Sequence, residues 1–129
     1  MIEEKNEADD AKPVGEFVGE LLHAVTVAHI YHLRSESFAQ HSALGAFYDA
    51  LGDKVDAFAE TYQGCYGLID GYPTSFELPD VDPKDWALSL AEDIVEDRKA
   101  LPQDSELQNI VDEILACVNT LIYKLAFLR

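Results

Sequence analysis

All four histidines of the chain fall between positions 23 and 41, and imidazole is a favoured ligand of transition metals. His29 and His32 continue a helical stripe that runs through Val18, Leu22 and Val25, so periodicity points both toward the core. A second group is acidic. Asp49, Asp53, Asp56 and Glu60 recur at spacings of four, three and four, which sets them along one side of a helix. Four like charges in a row repel one another unless a cation offsets them, and Lys54 is the one lysine nearby. Such a row is either a solvated face or a face that attracts cations.

Between these two groups runs a third strip: His41, Gly45, Gly52, Asp56, Ala59 and Gln63. A glycine inside a helix costs about 1 kcal/mol relative to alanine. Two of them seven residues apart lie on one side, where they permit close approach of another helix. His41 and Asp56 are 15 residues apart in sequence, hence about 22 Å along a helix axis, and cannot share an ion within one chain. Two copies of this helix crossing antiparallel near position 48 bring His41 of one copy to Asp56 and Glu60 of the other.

The elements that must carry these residues are helical. Residues 1 to 12 are polar, acidic and without period, which predicts a flexible tail. A first helix is expected from Pro13, with an apolar stripe of Val14, Val18, Leu21, Leu22, Val25 and Ala28, because a proline is tolerated in a first turn. Ser37 and Gln40 have capping-box spacing and open a second helix from about Phe38 to Ile69. Residues 70 to 83 hold three prolines and no period, the signature of a long crossover. Asp82-Pro83 starts a third helix bearing Trp86, Leu90, Ile94 and Val95, which Leu101-Pro102 ends. Ser105 with Gln108 is expected to cap a fourth, striped by Leu107, Ile110, Val111, Ile114, Leu115, Val118, Leu121, Ile122 and Leu125. No segment alternates at period two. The expected fold is all-α: a ferritin-like four-helix bundle made of two helical hairpins joined by a long crossover, in one domain from 13 to 129.

Residues 29 to 60, HIYHLRSESFAQHSALGAFYDALGDKVDAFAE, resemble the signature of the Dps-like miniferritins. The matching positions are His29, then His41 twelve residues on with Phe38 before it, then Asp56 with Ala59-Glu60. The resemblance implies that His29, His41, Asp56 and Glu60 are metal ligands at a site built by two subunits. It implies that the metal is iron, with zinc or another divalent ion able to substitute, and that Fe(II) is oxidised there by oxygen or peroxide. It also implies a two-fold dimer through the second helix, and beyond that a dodecameric cage. The chain departs from the pattern in three places: Gly45 stands where the family has an acid, Ile30 stands where a tryptophan is common, and the tail is acidic rather than lysine-rich. His32 and Asp49 are the candidates to replace the missing acid. Beyond Ile69 the likeness rests on connectivity alone. The alternative is a non-enzymatic scaffold or interaction protein with a degenerate metal site, docking through Tyr72-Pro73-Thr74-Ser75-Phe76. An intra-bundle di-iron site needs two Glu-x-x-His motifs, and the chain has one, Glu20-Leu-Leu-His23.

Composition bounds the partners. Nine Lys and Arg stand against 25 Asp and Glu, for a net charge of −16. Such a field repels phosphate, so direct nucleic-acid binding is not expected, and cations are favoured. No apolar run approaches the ~20 residues of a membrane span, and the N-terminus lacks an apolar signal core, so the expected location is cytoplasmic. Cys65 and Cys117 are too few and too far apart for a disulfide scaffold or zinc knuckle. Both fall on apolar stripes and read as buried thiols.

Overall fold

The computed structural model of the protein describes side chains from Pro13 to Arg129. The expected flexible tail over residues 1 to 12 lies outside the described residues. Helix α1 is Ile2–Arg34, α2 is Phe38–Tyr66, α3 is Pro83–Asp97 and α4 is Ser105–Phe127, with a 3-10 turn at Arg98–Ala100. Among the described residues there is no strand. The four helices pack as a bundle through α1–α2, α2–α4 and α3–α4 contacts, with α1 and α3 meeting more briefly. Among the described residues, no helix is long and apolar enough to cross a membrane.

The helix ends follow from local chemistry. Ser37 Oγ accepts from the Gln40 N–H at 3.3 Å, satisfying one of the free donors of α2's first turn. Gly67 stops α2, its φ of +100° admitting a conformation that other residues resist, so the helix ends short of the expected Ile69. Asp82 caps α3 through the Asp85 N–H at 2.8 Å, with Pro83 in the first turn. The start of α4 differs from expectation. Asp104, not Ser105, is the N-cap, and its side chain makes no cap bond because it accepts from Tyr66 Oη at 2.6 Å. Gln108 turns away too: its Nε2 donates to the carbonyls of Arg98 and Pro102, while Arg98 donates to Gln108 and to Asp112 Oδ1 at 2.7 Å. Those bonds close the α3–α4 hairpin.

The core is a single apolar cluster in which Leu21, Leu44, Leu51, Phe58, Ile94, Leu107, Ile114 and Leu121 are fully buried. Each such side chain contributes roughly 1.5–3 kcal/mol. Phe17 meets Phe58 edge to face, centroids 5.2 Å apart. The first helix's stripe holds at Val14, Val18, Leu21 and Ala28, but Leu22 is 46% exposed. It sits at the edge of the stripe, while Ala24, Val27 and Tyr31 are buried in its place. Val95, also expected in the core, is exposed for the same reason. Cys65 is exposed and Cys117 half-buried. The last turn of α2 reaches the end of the bundle, where α4 only begins, and no helix covers Cys65.

The crossover, residues 67 to 82, returns the chain along α1. It lies first on Gly15, then with Pro73 on Gly19, then with Phe76 stacked on His23 at 4.4 Å. The His23 Nε2–H donates to the Glu77 carbonyl at 3.0 Å and Tyr31 Oη to the Val81 carbonyl at 2.7 Å. The aromatic segment read as a docking loop is therefore partly engaged by α1. A Cβ on residue 15 would strike the Asp70 carbonyl oxygen and lie 2.9 Å from Gly71 C; one on residue 19 would lie 2.6 Å from Pro73 Cδ. We expect Gly15→Ala to destabilise the fold by about 1–3 kcal/mol by pushing this backbone off α1. Gly64→Ala, a helical position with open space around it, should instead stabilise by roughly 0.5–1 kcal/mol. Urea denaturation of the two variants checks both signs.

Candidate functional site

Three of the four histidines, His29, His32 and His41, gather at the end of the bundle where α1 turns into α2. His32 and His41 stack with centroids 3.6 Å apart and planes 18° from parallel. Each ring nitrogen Nδ1 faces the other residue's backbone carbonyl, at 2.6 Å for His32 and 2.8 Å for His41. A carbonyl oxygen only accepts, so each Nδ1 carries the hydrogen. In the neutral ring that leaves Nε2 as the nitrogen with a free lone pair, the arrangement that metal-ligating histidines use. His29 lies beside them, stacked on Tyr48 at 4.2 Å and 5.9 Å from His32 centroid to centroid.

Neither His29 nor His32 points into the core as periodicity suggested. His29 is exposed and His32 half-buried, because the small-residue and aromatic positions Ala24, Val27, Ala28 and Tyr31 fill the interior. Room for the His32 ring comes from Gly45. A Cβ there would lie 3.1 Å from His32 Cε1 and 3.2 Å from Nδ1. So one of the two glycines expected to admit a second copy's helix already admits an imidazole of its own chain. Gly52 has nothing within 4 Å of where a Cβ would be.

Asp49, Asp53, Asp56 and Glu60 are all exposed on α2. Lys54 turns away from them to Glu113 on α4, Nζ to Oε1 3.5 Å. Among the described residues, the histidines and this row form no single-chain group of three ligands. One such group exists elsewhere: Cys65, Asp104 and Glu106, with ligand atoms all within 4.8 Å of one another. It joins the end of α2 to the start of α4, a pairing that no local motif announces. Asp104 is also committed to Tyr66, and that hydrogen bond pushes the phenol up to about 12. Glu20 and His23, the lone Glu-x-x-His motif, diverge: His23 serves the crossover, and Glu20 is exposed on α1, its carboxyl pushed up to about 7 by partial burial and by the neighbouring carboxylates of Asp97 and Asp93. Cys117 borders a groove of about 520 Å³ between α2 and α4, lined by Ala46, Ala50, Ala116 and Thr120, and burial raises its thiol pKa.

Fold and site together define an all-α four-helix bundle with a histidine corner at one end and acidic outer faces. The family model DUF5856, a family of unknown function, matches residues 32–125. This covers well over half of the chain, which therefore belongs to that family. No curated protein and no solved structure matches it.

The reciprocal bonds make a direct prediction. In long-range nitrogen–proton spectra at neutral pH, both His32 and His41 should show the Nδ1–H tautomer. Gly45→Asp should displace the His32 ring and erase that signature for His32, at a cost near 1 kcal/mol for the lost hydrogen bond. An Nε2–H tautomer at both residues in the wild type would contradict the geometry.

Proposed function

We propose that this protein is a ferritin-like metal-binding bundle whose site is completed by a second copy of the chain. The observation that carries the reading is His41: its Nδ1 is held by the His32 carbonyl, so its Nε2 is preset as a ligand. His29 is the second imidazole from the same chain, and Asp56 and Glu60 of the other copy supply carboxylates. They are exposed one turn apart on α2, and an antiparallel crossing of two α2 helices near position 48 brings them to the histidines. Gly52 offers the open surface for such a crossing. His32 and Asp49 are the auxiliary groups near the place that Gly45 leaves without a side chain.

A mixed nitrogen and oxygen donor set suits Fe(II), whose oxidised form prefers hard oxygen ligands. When bound, iron would supply one-electron chemistry toward oxygen or peroxide. The residues' own part is to hold the ion and exclude competing anions, and the net charge of −16 favours cation approach. A larger cage would extend the same two-fold contact. A second reading, a scaffold that binds partners without metal, is favoured by the apolar side chains exposed near the histidine end: Leu33, Phe38 and Phe127, at 69%, 83% and 73%.

Anaerobic titration separates the two. The wild type should bind Fe(II), or Zn(II) as a redox-silent probe, saturably, and should scatter light as a dimer or larger particle. His41→Ala should lose at least ten-fold in affinity with helicity unchanged. Equal binding by both proteins would sink the proposal, and a monomer with no saturable metal would favour the scaffold.

A further inference from the structure

The groove of about 520 Å³ between α2 and α4 is open because its walls are short: Ala43, Ala46 and Ala50 on one helix, Ala116 on the other. Phe47 and Leu121, both buried, also line it. Lys54 meets Glu113 and Phe47 meets Cys117, so the two helices run antiparallel and Lys124 falls at the Ala43 end. From Ala43 to Lys54 and from Glu113 to Lys124 the groove follows eleven positions of each helix, about 16 Å. Its middle is apolar. The Thr120 hydroxyl is committed to the Ala116 carbonyl at 3.0 Å, and burial holds Cys117 as the neutral thiol against the pull of Lys54 and Lys124. Charge stands at the two ends, and the ends differ. Lys54 is neutralised by Glu113 at 3.5 Å, whereas Lys124 has no ion partner among the described residues. Glu113 is the one carboxylate in the lining.

We infer that this groove binds an aliphatic monocarboxylate, its head on the Lys124 ammonium and its unbranched tail along the alanines toward Lys54. The charge pattern selects that class. A ligand with one anionic end finds one free cation, and its other end meets a lysine that is already paired. The volume lies within the roughly 300–1,000 Å³ of small-molecule sites, which join an apolar lining to a few placed polar groups. The chain's net charge of −16 does not exclude an anion here, since charges beyond a Debye length of about 8 Å are largely screened while Lys124 touches the head. The groove shares no residue with the metal site. Ala50 lines it, and Gly52, two residues on, lies near the opposite flank of a 3.6-residue helix, so the two sites can be tested separately.

The test titrates the full chain in chelator with octanoate, decanoate and dodecanoate, each below its micelle concentration. Calorimetry should give saturable binding of one ligand per chain, tightening roughly three- to four-fold per added methylene. Cys117 reports the place. In a Cys65→Ser background, which removes the exposed thiol, saturating decanoate should slow alkylation of Cys117. Lys124→Gln should weaken decanoate by about ten-fold, the loss of one charged hydrogen bond, and leave 1-decanol unchanged. Ala116→Leu, at an exposed position, should block the groove and abolish the protection with helicity intact. No saturable binding to the wild type overturns the proposal, as does binding that leaves Cys117 alkylation unchanged. Decanol binding as tight as decanoate overturns the carboxylate assignment. Protection of Cys117 that rises with protein concentration and ignores the ligand gives the groove to a second copy and overturns it too.

Discussion

The close passage of the crossover over α1 is the constraint on which the remaining geometry depends. α2 ends at one end of the bundle and α3 starts at the other, so the chain must travel the length of α1 between Gly67 and Asp82. It can lie flat only because positions 15 and 19 carry no Cβ; either methyl would collide with crossover atoms. Once seated, the crossover delivers Pro83 near the far end of α1. There Trp86 reaches Tyr31 and Phe47, with centroids 5.6 and 6.1 Å away. α3 then runs back antiparallel to α1, and the Arg98–Gln108–Asp112 bonds return α4 beside α2.

A second glycine-made space sits at the opposite corner. Gly45 lets the His32 ring lie against α2, where it and His41 exchange bonds with each other's backbone. The same two bonds brace the tight connection between α1 and α2 and fix which ring nitrogens remain available. A structural brace and the proposed ligand pair are thus one arrangement. Mutations meant to add a carboxylate at position 45 would disturb both functions at once, because the space they need is already taken.

Much of the fold was legible because its signals are local. Ser37, Asp82-Pro83 and the apolar stripe of α4 each specify an element within a few residues. The failures have a common cause. Periodicity cannot tell which of several residues at a stripe's edge finds a neighbour, so it points Leu22, His29 and Val95 inward while Tyr31 and Ala87 are the buried ones. It also cannot see where a bundle ends, which is why Cys65 was expected inside. The histidine cluster was visible as composition, since all four lie within nineteen positions; the stacking and its reciprocal bonds were not. The Cys65–Asp104–Glu106 group joins residues far apart in sequence, and no spacing rule connects them.

The central claim is that two chains together build one metal site, and a mixing experiment tests it most directly. His41→Ala removes an imidazole, and the double variant Asp56→Asn, Glu60→Gln removes both carboxylates, so neither homodimer should hold Zn(II) tightly under conditions where the wild type does. After the two are dissociated and reassociated together, each heterodimer should recover one intact site, and Zn(II) binding of wild-type affinity should reappear at one ion per heterodimer. Mixed samples that form heterodimers yet bind no more tightly than the separate variants would contradict the shared site.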